Sequence, residues 1–330
     1  MPYSSHPQFP DIQDAVRRIS PHIKKTPVLT SQYFNDLTGS DIYFKCENFQ
    51  KIGAFKFRGA CNSILSKTDD QLRHGVITHS SGNHAQAVAL AARMKGVKAT
   101  IVMPENAPDI KIKAVRGYGA DLIFCEPTIK ARIETAKKVV EETGAYFVHP
   151  YNDPAVIAGQ GTCAKELLEE IPDLDIIIAP VGGGGLLSGT SIAARYINQN
   201  IQIVGVEPEI ADDAYRSFQT GTLQPVERTD TIADGLRTSL GELPFSIIRQ
   251  NVDEMVTVSE ESIIRNMRQI WERMKIIVEA SGSVTLAAVT DQKINCEGKK
   301  TGVLLTGGNA DLDHLPWMIK EPFSNQSSST

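Results

Sequence analysis

A chain of 330 residues that is 41% hydrophobic and 22% charged has the make-up of an ordinary globular protein and enough length for two domains. A net charge of -5 and a pI near 5.9, with no Lys/Arg block interleaved with aromatics, exclude nucleic acid as an expected partner. No apolar run approaches the ~18 residues of a membrane span, and MPYSSHPQFPDIQDAV carries no basic-then-apolar leader, so no membrane association is expected.

The five cysteines, Cys46, Cys61, Cys125, Cys163 and Cys296, are scattered without a CxxC pair. Neither a disulfide framework nor a zinc site is expected, and the expected setting is a reducing one, the cytoplasm.

An amphipathic helix is expected near 11–24, followed by TPVLTSQYF at 26–34. Next comes GAFKFRG at 53–59, with Lys56 between Phe55 and Phe57. An amine that attacks a carbonyl must shed water and part of its charge, and partial burial promotes both. Lys56 is therefore a candidate Schiff-base anchor for pyridoxal phosphate. The heptapeptide alone favours the plainer reading of a half-buried lysine whose stem packs on the core.

From 75 to 150, the apolar runs VITHS (76–80), ATIVMP (99–104), ADLIFC (120–125) and AYFVHP (145–150) alternate with helical patterns near 84–95, 108–117 and 129–143. Continuous apolar strands separated by helices predict a small parallel sheet covered on both faces. SSGNHAQA at 80–87 offers two hydroxyls, an amide and backbone donors at a helix N-terminus, which suits a carboxylate. It serves equally as an ordinary helix cap.

After a loop at 150–153, DIIIAPV (175–181), QIVGVEP (202–208), MVTVS (255–259) and GVLLTGG (302–308) predict a second parallel sheet, with helices near 154–170, 185–197, 260–274 and 282–292. The expected fold class is α/β, with two open, mostly parallel twisted sheets flanked by helices. The larger domain would comprise 1–74 and 151–322 and the smaller 75–150, with a polar, serine-rich, disordered tail at 323–330. Ligands of such sheets sit outside the carboxyl ends of strands.

Three motifs stand at such ends. GGGGLLSG at 182–189 lets successive N–H groups converge on an anion at a helix N-terminus, and it matches neither GxGxxG nor GxxxxGK[ST], so a monophosphate is the better guess than a nucleotide. EPEIADD after the strand at 202–208 reads by itself as an acidic surface loop. LLTGGN places Thr306 where the last strong strand ends, to meet a pyridine nitrogen or to cap the strand.

GAFKFRGA, SSGNHAQA, GGGGLLSG, VEP followed by ADD, TIADG and LTGGN occur in one order between about Asp11 and Trp317. In that order they resemble the fold type II (tryptophan synthase β-like) pyridoxal-phosphate enzymes, and within them the serine racemase and serine/threonine dehydratase family. The resemblance implies a cofactor in the cleft between the two domains. Lys56 would form the Schiff base and act as a base, Phe55 would pack by the ring, and Gly182, Gly183, Gly184 and Gly185 would hold the phosphate. Asn83 would contact the ring hydroxyl and Thr306 the pyridine nitrogen. A hydroxyl is a weaker proton donor than a carboxylic acid and tempers the ring as an electron sink.

The resemblance also sets the substrate carboxylate against Ser80, Ser81, Asn83 and His84, and brings Arg132 and Thr238 toward the substrate. Racemisation needs an acid/base group on each face of a planar carbanion, and Ser81 is the candidate opposite Lys56. The implied activity is interconversion of L- and D-serine with accompanying β-elimination to pyruvate and ammonia. The alternatives are a dedicated L-serine/L-threonine dehydratase, a threo-3-hydroxyaspartate ammonia-lyase, or a non-enzymatic ligand sensor retaining the fold.

Glu207, the carbonyl of Ala211 and Asp213 match the family's divalent-cation site, for Mg²⁺, Mn²⁺ or Ca²⁺. Lys51, Tyr118, Lys275 and Asn309 match positions that bind ATP as an effector at a homodimer interface. Two departures alter the surroundings of ring and substrate: Thr306 stands where serine is usual, and Ala280-Ser281-Gly282 where Pro-Thr-Ala is frequent.

Overall fold

The computed structural model describes residues 6–107 and 109–318, so the expected tail at 323–330 lies outside the described residues. In chain order the strands are β1 (Val28–Leu29), β2 (Asp41–Cys46), β3 (Val76–His79), β4 (Ala99–Pro104), β5 (Asp121–Cys125), β6 (Tyr146–Phe147), β7 (Ile176–Pro180), β8 (Gln202–Pro208), β9 (Glu254–Val258) and β10 (Lys300–Leu305). The helices are α1 (Phe9–Ile19), α2 (Gln32–Thr38), α3 (Lys56–Leu65), α4 (Asn83–Lys95), α5 (Asp109–Gly117), α6 (Ile129–Thr143), α7 (Pro154–Glu170), α8 (Gly185–Ile197), α9 (Asp213–Thr220), α10 (Glu242–Asn251), α11 (Glu260–Met274) and α12 (Ala280–Thr290). One sheet runs β1-β2-β10-β7-β8-β9 and the other β5-β4-β3-β6. All pairs are parallel except β1 with β2, so the fold is the expected α/β arrangement of two mostly parallel sheets.

The unbroken apolar run of β7 follows from burial on both faces. Ile176 and Ile178 pack into the core beneath α11 and α12, while Ile177 and Ala179 face the core shared with α1, α7 and α8. Each such isoleucine contributes roughly 1.5–3 kcal/mol of hydrophobic stabilisation. A third core joins α3 and α4 to one face of the four-stranded sheet.

The eight expected strands are all found, though β6 covers only two residues near the start of its expected run. Helix α1 begins two residues early, because Pro10 sits in its first turn and Gln8 and Asp11 form a capping box. The elements β1, β2, α2, α3, α9 and α10 were not expected. In β2, the buried Lys45 interrupts the apolar run that follows Asp41. In α3, Gly59 lowers helix propensity, yet an added Cβ there would lie 2.3 Å from Gln160 Nε2 on α7.

Helices α3, α7 and α8 stack through such close contacts. A Cβ on Gly159 would meet the Gly59 Cα at 2.7 Å, and one on Gly189 would meet the Gly161 nitrogen at 2.5 Å. This packing brings the N-terminal ends of the three helices to one place, beside the carboxyl ends of β7 and β10.

Candidate active site

Lys56 opens α3. Its Nζ donates to the Pro150 carbonyl at 3.0 Å and lies 5.2 Å from the centre of the Phe55 ring. Burial lowers its pKa to about 8, because the low-dielectric surroundings penalise the ammonium form. Phe55 N–H donates to the Thr306 carbonyl at 3.0 Å, and Ala54 bridges Gly307, so the lysine segment and LTGGN lie side by side.

The glycine loop stands opposite. The N–H groups of Gly182, Gly183, Gly184 and Gly185 have no protein acceptor among the described residues, and amides of this kind at a helix start can bind an anion. Gly184 has φ +86°, and a Cβ on Gly183 would lie 2.1 Å from Tyr151 Cδ1. The Tyr151 side chain runs along the loop, and its hydroxyl reaches Thr238 Oγ1 at 3.0 Å.

Asn83, at the start of α4, donates from Nδ2 to Glu279 Oε1 at 2.7 Å and accepts from Asn309 Nδ2 at 2.9 Å. One Nδ2 hydrogen remains for a ligand. Glu279 is pushed up to about 8, first by burial and then by the charge of Asp234. Thr306 Oγ1 is buried and makes one long contact, 3.4 Å, to the Ser281 carbonyl. Ser281 Oγ accepts from the Gly235 N–H at 2.9 Å, which ties TIADG to this wall.

His84 Nε2 faces the Val148 carbonyl at 3.1 Å, and a carbonyl only accepts, so Nε2 carries the proton. Nδ1 then holds a lone pair and has no partner in the described structure. In this tautomer the ring offers a carboxylate no hydrogen at Nδ1. Ser80 Oγ accepts from the Gly82 N–H at 3.2 Å, whereas the Ser81 hydroxyl makes no hydrogen bond to the described protein. Arg132, half-buried on α6, forms no ion pair among the described residues, yet its charge reaches His79 and Tyr151.

Several residues here were missed by the sequence reading: His79, His149, Tyr151 and Glu279. His149 Nδ1 accepts from the Tyr151 and Asn152 N–H groups at 3.3 and 2.9 Å, and burial lowers its pKa to about 3. The run HPYNDP contained the signal, a histidine and a proline just ahead of an Asp-Pro helix start.

Away from Lys56, Glu207 ends β8 and Asp213 begins α9. Glu207 Oε2 accepts from the Tyr215 N–H and Asp213 Oδ2 from the Leu240 N–H, both at 2.7 Å, while Glu207 Oε1 and Asp213 Oδ1 are buried without partners. Burial raises the pKa of both, and the charge of Asp213 adds to the rise at Glu207. Two buried carboxylates with orphaned oxygens suit a hard cation. Ala211 lies buried between them in the chain, although no cluster of three or more His, Cys, Asp or Glu suited to a metal occurs among the described residues.

Of the four nucleotide positions, Asn309 Nδ2 donates to the Ile52 carbonyl at 2.7 Å, beside Lys51. Tyr118 lies under Arg93 instead, and Lys275 Nζ turns back to the Glu272 carbonyl. No hydrogen bond or ion pair among the described residues links Lys51, Tyr118 and Lys275.

A buried amine, four free amides on a glycine turn, and an asparagine with one spare N–H fit a phosphorylated aldehyde bound between them. Residues 19–307 match the family model described as pyridoxal-phosphate dependent enzyme. The chain belongs to that family. It is 48% identical to a serine racemase of Dictyostelium discoideum, over 92% of this chain and 95% of that one. It is 47% identical to a β-hydroxyaspartate dehydratase of Paracoccus denitrificans, over 94% and 99%. Among solved structures, maize serine racemase superposes with a TM-score of 0.92 at 43% identity, covering 94% of this chain and 95% of that one. As a member of this family the chain is an enzyme, and the sensor reading finds no support. No described helix is long and apolar enough to cross a membrane.

Proposed function

We propose that the protein is a pyridoxal-phosphate-dependent serine racemase that also eliminates water from serine, giving an aminoacrylate that water then hydrolyses to pyruvate and ammonia. One pairing carries the reading: the desolvated Lys56 amine, whose charge reaches His84, and the uncommitted hydroxyl of Ser81 three residues ahead of that histidine, in a chain whose relatives include serine racemases. When bound, pyridoxal phosphate supplies the electron sink for the pair left at Cα.

The residues divide the remaining work. The amides of Gly182, Gly183, Gly184 and Gly185 hold the phosphate, Asn83 orients the ring, Phe55 packs beside it, and Thr306 faces the pyridine nitrogen. The N-terminal end of α4, with Ser80, Ser81 and Asn83, holds the substrate carboxylate, and Thr238 lies toward the substrate. Lys56 exchanges the α-proton on one face and Ser81 on the other, while loss of the β-hydroxyl competes with return of the proton. In this assignment the larger domain is 1–74 and 151–322, the smaller is 75–150, and the cofactor sits between them.

A second reading, a 3-hydroxyaspartate ammonia-lyase, is favoured by Arg132, which forms no ion pair among the described residues and whose charge reaches His79 and Tyr151, since a guanidinium suits a second substrate carboxylate. One assay separates the two. Incubation of the holoenzyme and Mg²⁺ with L-serine, and separately with L-threo-3-hydroxyaspartate, is followed by chiral separation and keto-acid measurement. D-Serine together with pyruvate is expected from L-serine. Turnover of hydroxyaspartate alone, with no D-serine, would select the second reading.

Glu207, the Ala211 carbonyl and Asp213 bind a divalent cation in this proposal, supported by the two orphaned carboxylate oxygens. Exhaustive EDTA treatment is expected to lower the thermal midpoint, with recovery on adding Mg²⁺, Mn²⁺ or Ca²⁺, because the buried acids then repel each other without compensation. A midpoint that does not move would remove the cation from the proposal. ATP as an effector at a homodimer interface, through Lys51, Tyr118, Lys275 and Asn309, rests on the resemblance and on the exposed apolar Phe49 and Ile277, which Asn48 joins by its bond to the Ile277 carbonyl. Five buried, unpaired cysteines suit the cytoplasm.

A further inference from the structure

The cleft leaves unused a largely buried set of charges behind Lys56. Arg58 Nε and Nη2 each donate to Glu47 at 2.8 Å, and Nη1 and Nη2 each donate to Glu166 at 2.7 Å. Nη1 also reaches Thr162 Oγ1 at 3.2 Å. Lys45 Nζ donates to Glu166 Oε2 and to the Thr26 carbonyl, both at 2.8 Å, and Thr26 Oγ1 donates to Glu47 at 2.5 Å. Arg58, Lys45 and Glu47 have no exposed side-chain surface, and Glu166 retains 16%. Two cations balance two carboxylates, and every guanidinium N–H has an acceptor.

Stability does not explain such a set. Desolvation costs several kcal/mol for each buried ion, so well-packed apolar residues of similar volume often do as well. What the ions add is direction: two planar forks on one guanidinium fix both its position and its rotation.

We propose that Arg58 is a positioning residue that holds the Lys56 amine in register, through Glu47 at the end of β2 and Glu166 on α7. It rests on the assignment of Lys56 as the cofactor anchor. Residues two apart in a helix project to nearly opposite sides, so Lys56 faces the cleft while Arg58 faces the interior. Glu166 belongs to the same helix that begins just after Pro150, whose carbonyl receives the Lys56 amine. Helix α3 is thus tied to α7 by the Arg58–Glu166 fork beside the Gly59–Gly159 backbone contact, and to the loop ahead of α7 by Lys56 and Pro150. Without the forks, α3 can roll on that contact and carry the amine out of line.

The test compares Arg58→Lys, which keeps the charge but loses the fork, with Glu166→Gln, which keeps the shape at the less buried partner and serves if the first fails to fold. Four quantities are measured: total bound pyridoxal phosphate, the fraction fixed to Lys56 by borohydride, the rate of attachment to the apoprotein, and kcat against KM. Attachment and kcat are expected to fall roughly 10- to 100-fold, the loss typical of a displacement near 1 Å. Total bound cofactor and KM are expected to stay near wild type, because the glycine loop and the substrate-carboxylate site are untouched. A lower thermal midpoint with unchanged attachment and kcat would overturn the proposal, leaving the cluster as a stabilising element only. Lys56→Ala runs in parallel, and borohydride-fixed cofactor in that variant would instead overturn the assignment of Lys56.

Discussion

Lys56→Ala is expected to lower turnover by at least about 10⁴-fold, because one substitution removes both the covalent anchor and a positioned base. Phosphate-dependent affinity for the cofactor should persist, since the free amides of the glycine loop are untouched. The variant should therefore still bind pyridoxal phosphate but lose it on dialysis, without the visible band of the covalent form. Persistence of that band, or turnover near wild type, would move the anchor to another lysine.

The pH dependence follows from the same residue. The ammonium form is unreactive, and burial brings the amine to about 8 from an ordinary value of 10.5. The rate at which the apoprotein forms its bond with pyridoxal phosphate should climb about tenfold per pH unit below that midpoint and level off above it. A solvated lysine would keep climbing well beyond pH 9. The nearby histidines do not confuse the profile, because burial holds His84 and His149 neutral and the charge of Lys56 adds to the effect. Glu279 titrates in the same window, so Glu279→Gln isolates the lysine limb.

What could be read in the sequence was local. The strands β7, β8 and β10 announce themselves as short apolar runs because both faces are covered, and the glycine turn after β7 is legible because its function lies in its own backbone. The site's wiring was not legible, because its partners are remote along the chain. Lys56 and Pro150 are 94 residues apart, and Asn83 and Glu279 are 196 apart. Nothing beside Glu279 in the sequence marks it, and only the fold buries it against Asn83 and Gly307. Likewise, Lys45 hid β2, since nothing near it in sequence says that Glu166, 121 residues on, neutralises it.

Ser81→Ala is expected to separate the two activities. Removing the α-proton from L-serine and expelling the β-hydroxyl need a base on one face only, so elimination should survive. Inversion needs a proton from the opposite face, so D-serine formation should fall by about 10²- to 10⁴-fold. The neighbouring serine is the control. Ser80 Oγ is committed to the Gly82 N–H and shapes the turn, so Ser80→Ala should weaken both activities together. Ser81 has no such commitment, and it lies just ahead of α4, where the unpaired amides and helix dipole favour a developing negative charge on its oxygen. Chiral product analysis beside pyruvate release measures the split directly. Equal loss of both products in Ser81→Ala would mean that this hydroxyl only helps to hold the carboxylate, and the proton donor for the second face would have to be another group in the cleft.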